Sequence, residues 1–144
     1  MLDSNAFDGL ALDDVVRANI ESLITVGVVE LVITHVQADE LNKTPDDDLR
    51  RRLLRLTVTA TYTAGFVIGL SRVDMAAIGR DVENAIFEAV VAGNPAKHAE
   101  DALILLTARR EGIPVVTNEK RLPKQCRLHG VSAWTTTEFL SRLS

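Results

Sequence analysis

KHAEDALILLTARREGIPVVTNE, residues 97–119, is the stretch whose reading decides the fold. Apolar residues recur at helical spacing from Lys97 to Glu111, which predicts a long helix. Gly112 is a fitting stop for it. Pro114-Val115-Val116-Thr117 is a short apolar run between that stop and a polar turn, so it reads as a parallel strand. Asp101 is in the phase of Leu105 and Ala108, so it faces inward with the apolar stripe. An acid on the buried face of a helix is unusual, because carboxylates are rarely buried without a partner. Glu119 stands just past the strand, after Asn118.

The same alternation extends outward. Asp13 or Asp14 can cap a helix that carries Val15, Val16, Ile20, Leu23 and Ile24, and Gly27 can end it. Val28 to Val36 (VVELVITHV) is rich in β-branched residues and predicts a buried strand. Gln37 to Asn42 loses that bias and reads as the start of a helix. Thr44-Pro45-Asp46-Asp47 reads as another start, with Thr44 as cap, Pro45 in the first turn and the acids 46–48 at the positive end of the dipole. The threonines from Thr57 to Thr63 weaken that helix and Gly65 breaks it. Phe66 to Leu70 predicts a short strand. Asp81 can cap a helix with Val82, Ile86, Phe87, Val90 and Val91 as its stripe, ended by Gly93-Asn94-Pro95. Val131 to Trp134 predicts a last strand and Thr136 to Leu143 a closing helix. Strands alternating with helices imply a parallel sheet covered on both faces, an α/β layered fold. With no repeat, low-complexity tract or linker, residues 1–144 read as a single domain.

Composition bounds the function. The 144 residues are 47% hydrophobic but only 4% aromatic, so the core is aliphatic. The formal net charge of -4, from 20 acids and 16 bases, argues against a sequence-independent nucleic-acid coat, which would be basic. It leaves room for an enzyme that meets nucleic acid through a bound cation, since the metal reverses the local sign. Disordered, collagenous and disulfide-scaffold chains are excluded. The lone cysteine, Cys126, permits no internal disulfide, as is usual in a reducing compartment. No apolar run approaches the ~18 residues of a spanning helix. An acid at position 3 stands where a signal peptide would carry bases. The expectation is a cytoplasmic protein with no membrane segment.

Ligands of open α/β sheets collect outside the carboxyl ends of the strands. Asp3 follows a very short first strand, Glu40 lies just beyond VVELVITHV, and Glu119 follows PVVT. Asp101 sits near the start of the helix that leads into PVVT. Four carboxylates that converge repel one another and are tolerable around a divalent cation. Mg2+ and Mn2+ favour oxygen ligands, and such a metal can activate water and stabilise charge on a phosphodiester.

These residues carry a resemblance. Asp3-Ser4-Asn5, Ala38-Asp39-Glu40-Leu41, the helix from Glu100-Asp101 to Ala108, and Pro114 to Glu119 together resemble the PIN domain over nearly the whole chain. The resemblance implies a PIN-like, Rossmann-like three-layer α/β/α sandwich with a central, mainly parallel sheet. It implies an Mg2+- or Mn2+-dependent ribonuclease with Asp3, Glu40, Asp101 and Glu119 as the metal-holding catalytic acids. It further implies RNA as substrate, the toxin role of VapBC-type toxin–antitoxin pairs, an antitoxin partner and a homodimer. Glu119 stands where the family usually carries aspartate, and Ser4 where threonine is common. Only two apolar residues precede Asp3, where the family has several.

Each residue also has a plainer reading. Asp3 alone can be a helix cap, Glu40 a first-turn acid and Glu119 a turn residue. Asp101 alone would need a buried partner such as an arginine. Ser4, Asn5, Thr117 and Asn118 either support the acids or close turns. Lys120, Arg121, Lys124 and Arg127 follow Glu119 and are candidates for holding a nucleic-acid backbone. Arg50, Arg51, Arg52 and Arg55 either grip phosphates or form a solvated face balanced by Asp46 to Asp48. His98, one helical turn before Asp101, either neighbours the site or lies on the surface. Cys126 has no base beside it in sequence and reads as inert. Two rivals to the nuclease remain. One is a catalytically weak protein-binding module of the same fold. The other, a phosphoryl-accepting receiver, lacks paired acids after a first strand.

Overall fold

The computed structural model describes residues 1–64 and 81–143. The strand expected at Phe66 to Leu70 and the break at Gly65 lie outside the described residues. The chain is a mixed α/β structure, mostly helical. Its helices are α1 (Ser4–Leu12), α2 (Asp14–Thr25), α3 (His35–Asn42), α4 (Asp47–Leu53), α5 (Asp81–Val91), α6 (Pro95–Glu111), α7 (Leu122–Leu128) and α8 (Thr136–Ser141). Between them lie β1 (Val32–Thr34), β2 (Thr59–Thr61), β3 (Val115–Val116) and β4 (Ala133–Trp134). No helix among the described residues is long and apolar enough to cross a membrane.

Among the described residues the expected single central sheet is not clear: the named strands form two small parallel sheets of two strands each. β1 pairs with β2, Ile33 opposite Ala60, and β3 pairs with β4, Val115 opposite Ala133. The reason is strand length. Each strand is two or three residues, cut short by a helix cap or a turn. The first three residues lie against one strand of each pair. Leu2 N donates to Val32 O at 2.8 Å on one side. On the other, Val116 N donates to Met1 O at 2.8 Å and Asp3 N to Val116 O at 3.0 Å.

Caps explain most boundaries. Asp13 accepts from Val15 N and Val16 N and opens α2, and Gly27 beyond its end adopts φ 76. Asn94 caps α6 ahead of Pro95, and Gly112 ends it at φ 67, in the left-handed region where a side chain would be strained. Three expectations are corrected here. The strand read over Val28–Val36 is only Val32–Thr34, because Thr34 and Gln37 form a reciprocal capping box and turn His35 into α3. The cap of α4 is Asp46, which accepts from Asp48 N and Leu49 N, not Thr44. Thr59–Thr61 is strand rather than weakened helix, because α4 has already ended at Leu53.

Two apolar clusters hold these elements together. One joins α1, α2, α4 and α8 through Phe7, Leu10, Ile20, Ile33, Leu53 and Phe139. The other joins α5, α6 and α7 through Ile86, Val90, Leu105, Leu106, Leu122 and Cys126. Every residue from Ala102 to Ala108 is buried, so the middle of α6 has no solvent face. Each fully buried Leu or Ile contributes about 1.5–3 kcal/mol. Glu100 and Asp101 therefore stand one step ahead of a helix segment that packing fixes on all sides.

Candidate functional site

Asp3 ends the first extended segment and caps α1, its Oδ1 accepting from Ser4 N at 2.8 Å. Its Oδ2 accepts from the Thr117 hydroxyl at 2.7 Å, across 114 residues of chain. Thr117 Oγ1 accepts in turn from Glu119 N at 3.1 Å. Asp3 is only 6% exposed. Burial raises its carboxyl above the ordinary range; the Thr117 bond opposes that rise and the Glu119 charge adds to it.

Asp101 is held differently. Its Oδ2 lies 3.3 Å from Arg121 Nη1 and 3.7 Å from His98 Nδ1. Arg121 also donates through Nη2 to the Val90 carbonyl near the end of α5. Burial raises the Asp101 carboxyl, the Glu119 and Asp3 charges add to this, and Arg121 and His98 oppose it. The partner of this acid is therefore Arg121, itself only half-buried and one of the four basic candidates for holding a nucleic-acid backbone. His98, with its side chain 15% exposed, is a neighbour of the acid rather than a surface residue.

Glu100 was not singled out in the sequence. Ser4 Oγ donates to Glu100 Oε1 at 2.9 Å. Gln37 Nε2 donates to Leu2 O at 3.0 Å and to Ser4 Oγ at 3.3 Å, so α3 is tied to the same network. Burial pushes the Glu100 carboxyl up to about 7, and the charges of Glu40, Asp3 and Asp101 reinforce burial against the Ser4 bond. The signal that could have marked it is its adjacency to Asp101. Its partner Ser4, 96 positions away in the chain, is invisible to spacing.

Asp3, Glu100, Asp101 and Glu119 line one open cleft of about 450 Å3, together with Ser4, Asn5, Asp8 and the basic side chains of Lys97, His98 and Arg121. Glu40 borders an adjoining hollow of about 200 Å3 that shares Ser4 and Asp8 with the cleft. Its charge acts on Glu100 from there. Asn5 and Asn118 serve the scaffold: Asn118 N donates to Asn5 Oδ1 at 3.1 Å, and Asn118 Oδ1 accepts from the Thr136 N–H at 3.1 Å and hydroxyl at 3.0 Å. Those bonds tie the end of β3 to α1 and α8. Lys120 is exposed in the turn after β3, and Lys124 and Arg127 are exposed on α7. Of the four basic candidates, Arg121 alone lines the cleft among the described residues.

Other residues take their plainer reading. Arg50 and Arg51 pair with Asp47 and Asp48 one turn earlier on α4. Cys126 is buried, and desolvation pushes its thiol up to about 12, which leaves it inert as a nucleophile at neutral pH. Trp134 packs against the core with Arg142 4.4 Å above its ring.

The donor set is all oxygen, which suits Mg2+ or Mn2+. Its surplus of negative charge is the feature a divalent cation would offset. Among the described residues, no group of three or more His, Cys, Asp or Glu side chains is gathered closely enough to hold a metal ion. Asp101 is instead engaged by Arg121. Compared with protein-family models, with curated proteins and with solved structures, the chain matches none.

Proposed function

We propose that the chain is a divalent-metal-dependent ribonuclease of PIN type, a three-layer α/β/α sandwich in its finer architecture. The observation that carries this reading is one cleft lined by four carboxylates from three distant parts of the chain: Asp3, Glu100 with Asp101, and Glu119. Three of them, Asp3, Glu100 and Asp101, are raised in part by the charges of the others. Such crowding destabilises a fold unless a cation, a proton or a substrate repays it.

Asp3, Asp101 and Glu119 would hold Mg2+ or Mn2+ once Arg121 releases Asp101 and the carboxylates draw together, with Glu40 closing the set from the adjoining hollow. A divalent cation bound there supplies acidification of water and stabilisation of charge on a phosphodiester. The chain's own residues do the rest. Thr117 and Ser4 N fix both oxygens of Asp3. Gln37 and Ser4 orient Glu100. Lys97, His98 and Arg121 give the cleft a basic rim that can hold the RNA backbone.

The toxin role, with an antitoxin partner and a homodimer, rests on the resemblance. Exposed Val15, Val26 and Val28 on α2 and the turn after it are surface that a partner would cover. A catalytically weak binding module is favoured by one observation, the pairing of Asp101 with Arg121 in place of a gathered metal set. Incubation of the purified chain with single-stranded RNA separates the two. The nuclease cleaves with Mn2+ and stops with EDTA; no cleavage and no Mn2+ binding at millimolar concentration would leave the binding module.

A further inference from the structure

The hollow beside the acid cleft has a different character from the cleft. Its floor is apolar, built from Phe7, Ile33, Leu41 and Leu53, three of which are buried in the core. Two carboxylates, Asp8 and Glu40, stand among its lining residues beside the neutral polar side chains of Ser4, Gln37 and Thr44. The two cavities meet at Ser4 and Asp8. At about 200 Å3 the hollow takes one ring system, not a chain.

We infer that this hollow is a nucleobase subsite, which receives one unstacked base of single-stranded RNA and selects bases that carry an exocyclic amino group. The inference rests on the ribonuclease reading, because it places a base one cavity away from a phosphate in the cleft. An apolar floor takes the faces of a base, as in other single-strand readers. Carboxylates accept hydrogen bonds from the amino groups of cytosine, adenine and guanine. Uracil offers only its N3–H and no amino group, and the two carbonyl oxygens that flank that N–H face the acids unfavourably. A second phosphate is excluded from the hollow, since Asp8 and Glu40 would repel it without a basic side chain among the lining residues.

Neutral nucleosides test the subsite without metal or cleavage. The full chain, with methyl groups labelled, is titrated in turn with cytidine, adenosine, guanosine and uridine and followed by NMR. The expected result is shifts at the methyls of Leu41, Leu49 and Leu53, with uridine at least about fivefold weaker than cytidine. D8N is expected to relax that preference. L49W, which fills the hollow, is expected to abolish the shifts while the rest of the spectrum is unchanged. Equal binding of all four nucleosides, no shifts at these methyls, or the same shifts on raising protein concentration alone would each overturn the subsite; the last would assign the hollow to a second copy of the chain. If RNA is cut but no nucleoside enters the hollow, the subsite fails and the ribonuclease stands. If nucleosides bind with the expected preference but RNA is not cut under Mn2+, catalysis fails and the subsite stands.

Discussion

Asp3 and Asp101 carry the same group into the same cleft, but their surroundings are opposite in kind. Asp3 is held by neutral donors, the Thr117 hydroxyl and the Ser4 amide, at 2.7 and 2.8 Å. Asp101 is held by basic groups at longer range, Arg121 at 3.3 Å and His98 at 3.7 Å. Neutral donors leave the negative charge in place and fix its direction. A guanidinium cancels that charge and competes with any other cation for the same oxygen. On the proposed metal reading, one side of the cleft would be oriented for a cation, and the other would have to release an arginine before it could contribute.

The difference can be broken from the acid side first. D3N and D101N are each expected to lower Mn2+-dependent RNA cleavage by at least about 100-fold, because each removes a charge that would bind the cation. Circular dichroism is expected to show both variants folded. Cleavage by D101N at the wild-type rate would remove Asp101 from the site.

The next effect is on direction rather than charge. T117V keeps the volume but takes the donor from Asp3 Oδ2. A supporting bond of this kind is worth about 10–100-fold in metal affinity or activity. Calorimetric Mn2+ titration checks it, and an unchanged affinity would mean that Asp3 needs no second partner.

The competing cation gives a smaller change of opposite sign. R121A is expected to raise Mn2+ affinity about threefold to tenfold by freeing Asp101, while weakening RNA binding if Arg121 makes the proposed phosphate contact. A fall in Mn2+ affinity would show that Arg121 positions the acid rather than blocks it.

A last effect is on stability rather than on the cation. Glu100 has a folded value of about 7, above its ordinary 4.5. The folded state thus holds the proton more tightly than the unfolded chain does. Stability is full below pH 4.5, falls between 4.5 and 7, and stays reduced above 7. Allowing for solvent screening of a partly exposed group, the loss is about 1–2 kcal/mol. Urea denaturation measured across that range checks the sign, and E100Q is expected to flatten the curve.

The parts legible in the sequence were those fixed by local chemistry. The apolar phase of Ala102 to Ala108, Gly112 and Val115-Val116 all signal their structure within a few residues, whereas Asn94-Pro95, which reads as the end of α5, also opens α6. The inward phase of Asp101 and its need for a partner were legible for the same reason. VVELVITHV misleads because its β-branched content outlasts the strand: the Thr34–Gln37 box, not hydrophobicity, decides where α3 begins. The α1 helix was hidden because Asp3 reads equally well as a strand-end acid and as a cap, and it is both. α7 has no side-chain cap and only seven residues, which leaves little periodic signal. Glu100 and the Arg121–Asp101 pair depend on contacts across 96 and 20 positions, which no local pattern encodes.

The threading of Met1–Asp3 between β1 and β3 also governs the order of events in folding. Leu2 can find Val32 early, but Asp3 cannot meet Val116 or Thr117 until most of the chain has been made. Contacts of such long sequence separation close slowly, because the loop entropy is lost before the contact is gained. A nascent chain shorter than Thr117 therefore holds Asp3 without its hydroxyl partner and Asp101 without Arg121. The cleft is complete only after Arg121 has been added, and any cleavage activity would wait for that point in synthesis.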